Sequence, residues 1–314
     1  MNFQDLPPLD TKKQDTLQEM PRQGPEKDQV PSMTTDASAQ GDSTSLLTSN
    51  PKLQRFTPSS MLAWGQFETR YFQQIYSQSH YFDAKGKPQA QGHRSTYYTG
   101  ILSVNFGCKP WFNFGMDLWL RSVRIGDPSE SPFKIFSFQS GPNSRTAISA
   151  IAPKLKFQPF RKWNGFTVQT SLLIPVGRDM EGVLNGRPFL ATENLVWWTQ
   201  FYWTKSLAQR WQLFAEVDAY ASFHTRGASH MQPSAFAAPV SVYLSFFPTR
   251  RLTLYIMNQA WPTSSTIWYQ AALGGKYRLG EGLELEAMYG RFLAGVNAAG
   301  QANAFNLGLR FVKW

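Results

Sequence analysis

The chain has 314 residues, with 31 Lys/Arg against 21 Asp/Glu and a formal net charge of +10. Only 17% of residues are charged, yet 24 Phe, 11 Trp and 12 Tyr are present. No apolar run of about 18 residues exists, which excludes a transmembrane helix, and the single Cys108 excludes an intramolecular disulfide and argues against a cysteine-based structural zinc site.

Met1 is followed by NFQDLPPLD, which has neither a basic nor an apolar signal region, so any export signal is expected to have been removed or to lie outside this numbering. Residues 1–58 are rich in Pro, Gln, Ser, Thr and Asp. They hold six basic and eight acidic residues, so the excess positive charge belongs to 59–314. A stretch such as TTDASAQGDSTS has little to bury and cannot offset its ordering entropy. Residues 1–58 are therefore expected to form a disordered tail, and 59–314 a single domain.

From Met61 onward, strand–turn–strand units repeat. YYTGILSVNF passes through GCKP into WFNFGMDLWLRSV, and TAISAIAPKLKFQPF through RKWNG into FTVQTSLLIPV. LVWWTQFYW passes through TKSLAQR into WQLFAEVDAYASF, and VSVYLSFF through PTRR into LTLYIMNQAW. YQAALGGKYRL passes through GEG into LELEAMYGRF. Most of these turns carry Gly, Pro or Asn chemistry. Longer connections are expected near 83–94, 125–144, 177–193, 225–236, 262–267 and 293–303. With strands near 65–81 and 304–313, the count is about twelve, and short and long connections alternate. Both chain ends then fall on the short-turn side.

Period-two alternation separates two faces. In 111–121, Phe112, Phe114, Met116, Leu118 and Leu120 oppose Asn113, Asp117 and Arg121, with Trp119 out of pattern. In 211–224, Trp211, Leu213, Ala215, Val217 and Phe223 oppose Glu216, Asp218, Tyr220 and His224. In 305–311, Phe305, Leu307, Leu309 and Phe311 oppose Asn306, Gly308 and Arg310. A soluble sandwich would turn the apolar face inward. A transmembrane barrel would turn it to lipid, with the polar face lining a wet lumen. Strand length, the rhythm of connections, aromatics at strand ends and mid-strand charges all favour an all-β, transmembrane antiparallel barrel of about twelve strands, preceded by the tail. That places the protein in the bacterial outer membrane with both termini periplasmic.

The stretches FPTRRLTLYIMNQAWP, LGGKYRLGEGLELEAMYGRFLAG and NAFNLGLRFVKW resemble outer-membrane barrels of Gram-negative bacteria, with Bacteroidota as the implied source. The nearest type is the transporter-like barrels linked to the meta pathway of phenol degradation. The resemblance covers roughly 60–314 and rests on hairpin rhythm. It implies a pore or transporter for small solutes. The ending NLGLRFVKW is similar to the signal read by the barrel-insertion machinery, through Asn306, Gly308 and Phe311, although Trp314 falls on the opposite face.

The charges expected in the lumen are Asp117, Arg121, Glu216, Asp218, Lys276, Glu284, Glu286 and Arg310. Glu216/Asp218 and Glu284/Glu286 are i,i+2 pairs, each on one face. They suit a charged constriction or a salt-bridge network that fills a narrow barrel, and the sequence does not choose. The short turns carry Lys109, Arg161, Lys162, Arg210, Arg250 and Arg251 as a basic periplasmic rim. Attraction to anionic lipid head groups explains the rim; docking of an acidic partner is the sharper alternative. A barrel that anchors a protein complex through its tail and rim is therefore a second functional reading. No basic run with interleaved aromatics suggests nucleic acid.

A membrane-embedded hydrolase is the third reading. His93 lies near Ser95, and His224 shares a face with Asp218 and Ser222, but ordinary loop and lumen roles explain both. No catalytic residue, metal site or cofactor is expected. The expected partners are outer-membrane lipid, the insertion machinery, and an outer-membrane or periplasmic protein.

Overall fold

A computed structural model describes residues 58–160, 162–163, 165–182, 186–224, 235–263, 266–297 and 300–313. Its strands are β1 (Phe67–Phe82), β2 (Pro88–Lys109), β3 (Phe112–Gly126), β4 (Ser144–Phe157), β5 (Phe166–Pro175), β6 (Leu195–Ala208) and β7 (Trp211–Phe223). They continue as β8 (Ala235–Ala237), β9 (Val240–Phe246), β10 (Leu252–Pro262), β11 (Ile267–Gly280), β12 (Leu283–Val296) and β13 (Gly300–Lys313). Each barrel strand pairs antiparallel with its sequence neighbour, and β13 pairs with β1, so no sheet edge is left open. The barrel has twelve strands. Strands β8 and β9 follow one line along β7, interrupted at Ala238-Pro239, where the Asp218 N–H donates to the Pro239 carbonyl (2.8 Å). Proline has no N–H to add to the ladder, so the break falls there.

The alternation is resolved by exposure. Met116 is 55% exposed, Leu273 66% and Trp197 53%, while Asp117, Ala272 and Val196 beside them are buried. An apolar outside and a polar inside is the inverse of a soluble fold. Outward aromatics collect at both ends of the strands. Phe106 stacks on Phe114 (5.1 Å) and Trp211 packs on Phe246 (4.8 Å) at the short-turn end. Trp197, Phe223, Tyr289 and Phe305 are exposed toward the other end.

Three connections differ from the sequence reading. The expected long links 83–94, 262–267 and 293–303 are 83–87, 263–266 and 297–299, because β2, β12 and β13 run on into the first and last, and β10 and β11 reach Pro262 and Ile267. The polar stretch QGHRS reads as loop, yet its Arg94 and Ser95 pair with Gly126 and Ile125 of β3, and Ser95 with Gln78 of β1. Above the apolar band both faces of a hairpin meet water, and alternation is no longer required.

The connection after β3 folds back onto the barrel wall. Its 3-10 helix (Pro132–Ser137) is capped by Ser131, whose side chain accepts from the Phe133 N–H. Ile135 (2% exposed) packs on the outward Tyr98 (1%) and Ile75 (6%). Phe136 and Phe138 meet the Tyr98 ring edge-on at 5.7 and 5.5 Å. Glu130 ties the connection to Arg124 (2.7 Å) and Lys134 (3.0 Å), and those hydrogen bonds hold its carboxyl below its ordinary pKa. A depressed acid stabilises above its unfolded pKa, about 4.3, and the contribution is lost as pH falls through the folded value. Protease cleavage within 127–143 should therefore rise as pH drops below about 4. Ile135→Asp should raise it at neutral pH. Equal cleavage of both proteins at every pH would contradict the docked arrangement.

Candidate functional site

The barrel interior has two zones. The zone at the short-turn end is ionic. Glu68 on β1, 1% exposed, binds Arg70 (2.7 Å) and Arg310, and accepts from Asn105 (2.9 Å). Strand register continues this row, since Glu284 lies opposite both Arg310 and Arg278. Lys154 on β4 binds Asp117 and Ser103 across β3 and β2. Lys276 pairs with Glu286 (3.3 Å), which also accepts from the Tyr255 hydroxyl (2.5 Å). Tyr255 lies flat over Gly274, where a Cβ would come within 2.4 Å of the ring. Alternating signs let these groups satisfy one another inside the wall. Such pairs mainly offset their own desolvation rather than add stability.

Glu216 and Asp218 differ from this network. Glu216 accepts from Gln200 (2.7 Å) and Asp218 from the Trp198 indole (3.0 Å), and neither has a cationic partner among the described residues. Asn194 donates to Ser222 (3.0 Å), so Asp218 and Ser222 are both engaged by side chains other than His224. His224 is exposed at the end of β7, His93 lies within β2, and His230 lies outside the described residues. Among the described residues no cluster of three or more His, Cys, Asp or Glu side chains has metal-binding geometry.

The sequence gives no hint of what fills the short-turn mouth. Residues 58–62 enter the barrel there. Lys156 on β4, 8% exposed, donates to the carbonyls of Pro58 and Ser60 (2.6 Å for Ser60). Ser59 meets Thr204 on β6 at 2.5 Å. The Asn113 side chain on β3 accepts from the Leu62 N–H (2.8 Å) and donates to its carbonyl (3.2 Å). Gly107 makes the approach possible, since a Cβ there would lie 1.9 Å from the Ala63 carbonyl oxygen. The space left among Ser60, Leu62, Glu68, Arg70, Lys154 and Lys156 is about 10 Å³, enough for at most one water.

Toward the long-connection end the interior becomes aromatic. Neighbouring rings run Trp119–Trp198–Tyr220–Trp261–Trp268–Phe292–Tyr76–Tyr97, with centroid steps of 6.3, 6.5, 6.4, 5.6, 6.4, 5.3 and 5.9 Å. Eight strands contribute one ring each. Trp119, out of pattern in the sequence, faces inward and heads this chain. The connection between β5 and β6 also turns inward, burying Met180, Leu190 and Ala191 on Val123. Arg121 faces the same region, its guanidinium 5.5 Å from the Trp119 ring.

At the rim, Lys162, Arg210, Arg250 and Arg251 are exposed, and Lys109 lies over Trp111 at 5.4 Å. Arg161 lies outside the described residues. Asn306, Gly308 and Arg310 face inward on β13, while Phe311 faces outward, 42% exposed. Trp314 lies outside the described residues.

No protein-family profile and no curated protein sequence matches the chain. Among solved structures, the chain is similar to an outer-membrane channel from Pseudomonas putida F1, with a TM-score of 0.63 and 11% identity over 83% of this chain and all of that one. Looser likenesses are the β domain of the Bordetella autotransporter BrkA (TM-score 0.46, 12% identity, 77% of this chain and 98% of that one) and the NanC porin (0.43, 9%, 78% and 98%). The first alignment carries the assignment of fold: the chain adopts the architecture of a bacterial outer-membrane β-barrel.

Proposed function

We propose that the protein is an outer-membrane channel or transporter for small solutes, with both termini in the periplasm. The carrying observation is a closed barrel whose outside is apolar and whose inside presents ionic and aromatic surface. Asp117, Arg121, Glu216, Asp218, Lys276, Glu284, Glu286 and Arg310 are proposed as wall groups of the pathway. In this reading the ionic zone is polar lining, and residues 58–62 are a seal that a solute must displace. The resemblance to barrels linked to the meta pathway of phenol degradation adds a small aromatic as one candidate solute, and a Bacteroidota source is held in the same way. The solved channel of similar fold supports transport by analogy of architecture.

The basic rim is read as an anchor on anionic head groups, and Asn306, Gly308 and Phe311 as contacts for the insertion machinery. The complex-anchoring alternative draws on the same rim together with the filled mouth. Liposome swelling separates the two. Vesicles holding the full chain should swell in isotonic solutions of small solutes such as serine or arabinose. If they stay tight both with the full chain and with a chain lacking residues 1–62, the channel reading is lost and the anchor reading gains.

A further inference from the structure

Between β3, β4, β5, β6 and β7, beside the inward-turned connection, lies a cavity of about 280 Å³. That is the volume of about nine waters at roughly 30 Å³ each. Trp119, Leu173, Val196 and Tyr220 supply apolar wall, and Ala150 keeps one side open by its small size. Arg121 also lines it. Its guanidinium has no carboxylate and no hydrogen-bond acceptor among the described residues. It lies over the Trp119 ring. The nearby acids are committed elsewhere: Glu193 accepts from the Met180 N–H (2.5 Å) and Glu181 from the Glu193 N–H (3.2 Å), both within the β5–β6 connection. The ionic zone shows how this chain treats interior cations: Arg70 and Arg310 share Glu68, Lys154 and Lys276 have Asp117 and Glu286, and Lys156 has two backbone carbonyls. Arg121 has neither an acid nor a carbonyl among the described residues, beside a wall that is mostly apolar with Ser149, Thr192, Asn194 and Ser222 as its polar members. Arg121 is half-buried, and a guanidinium without an acid beside it is left for water or an anion to complete.

We propose that this cavity binds a small organic monoanion, its apolar body against Trp119, Leu173, Val196 and Tyr220 and its carboxylate on Arg121. The guanidinium fork matches a carboxylate in two parallel hydrogen bonds, and the cavity supplies the body's contact area. The proposal deepens the transport reading and rests on it only for its purpose, as a solute subsite along the interior.

The test is equilibrium binding to the full chain in detergent, by calorimetry, which does not require transport. Three probes divide the chemistry: cyclohexanecarboxylate has charge and body, acetate has charge alone, and cyclohexylmethanol has body alone. Cyclohexanecarboxylate should bind, with the other two at least about tenfold weaker, since each lacks one of the two contributions. This selectivity is read on the unmodified protein, so it stands even if a variant misfolds. Arg121→Gln should weaken cyclohexanecarboxylate at least about tenfold and leave cyclohexylmethanol unchanged. Ala150→Phe should abolish binding of both by filling the space. Equal binding of cyclohexanecarboxylate and either partial probe overturns the site. So does no binding of any probe at millimolar concentration, or full binding in a folded Arg121→Gln protein. A barrel that binds with this selectivity yet conducts nothing would keep the site and lose the channel. Swelling with no binding would do the reverse.

Discussion

Val217→Lys is expected to cost the barrel roughly 2–4 kcal/mol, because the side chain faces outward at mid-strand and would place a cation at the bilayer midplane. Val217 is 44% exposed on the outer surface of β7, flanked by Ala215 and Ala219 on the same face. The exposure makes the experiment decisive. In water, a lysine at so open a position would shift stability by no more than about 0.5 kcal/mol. In lipid it cannot reach the head groups without dragging its stem along half the span. Urea unfolding in lipid vesicles, followed by tryptophan fluorescence, reads the difference. Val217→Leu controls for size, and Asp218→Asn for a change on the inner face. If Val217→Lys unfolds with the unmodified protein, to within about 0.5 kcal/mol, the outer face meets water and the membrane assignment fails.

Removal of residues 1–62 should raise single-channel conductance several-fold. The segment 58–62 fills the short-turn mouth, and its backbone accepts the charge of Lys156 through two carbonyls. Withdrawing it leaves a lysine in a newly opened pathway, its ammonium beside the Tyr202 ring at 5.8 Å. The opened channel should therefore favour anions over cations, because a fixed positive charge in a narrow lumen attracts counter-ions. Lys156→Met in the shortened chain should keep the higher conductance and lose part of the anion preference. Planar-bilayer recordings with a salt gradient give both quantities, conductance from the slope and selectivity from the reversal potential. Equal conductance with and without the segment would show that it does not limit the pathway.

Much of the architecture follows from the sequence because it rests on local physics. Side chains alternate at period two along any strand, so Asp117, Glu216, Asp218 and Arg310 had to share one face of their strands, and Leu118, Val217 and Leu309 the other. Turns such as Gly280–Gly282 are written in residue chemistry, and Gly282 takes a φ of 80°. Strand count and the direction of each face needed no knowledge of the neighbours. Trp119 looked like an exception only because the inner face was expected to be polar throughout. Alternation put it inside correctly, and the interior has an aromatic zone to receive it.

What the sequence left open depends on which residues register and barrel closure bring together. The choice between constriction and network for the paired acids is one example. Glu286 meets Lys276 on a neighbouring strand, whereas Glu216 and Asp218 meet Gln200 and Trp198. Those meetings are set by the register of the β11–β12 and β6–β7 hairpins, whereas the Glu68–Arg310 pair depends on the closure of β1 on β13, which no local pattern encodes. The lengths of β1 and β2 beyond the apolar band have the same origin, since polar residues pair there only because a partner strand is present. Residues 58–62 carry no signal of burial in their own composition. They are held by Lys156, Asn113, Thr204 and Gly107 from four other strands. By itself the sequence determined strands with one apolar and one polar face, which needs only period and polarity, and the rhythm of short and long connections pointed to a barrel of about twelve strands. The filled mouth, the aromatic chain and Arg121, unpaired among the described residues, were decided by tertiary structure alone, because each is a relation among residues that only the fold brings together.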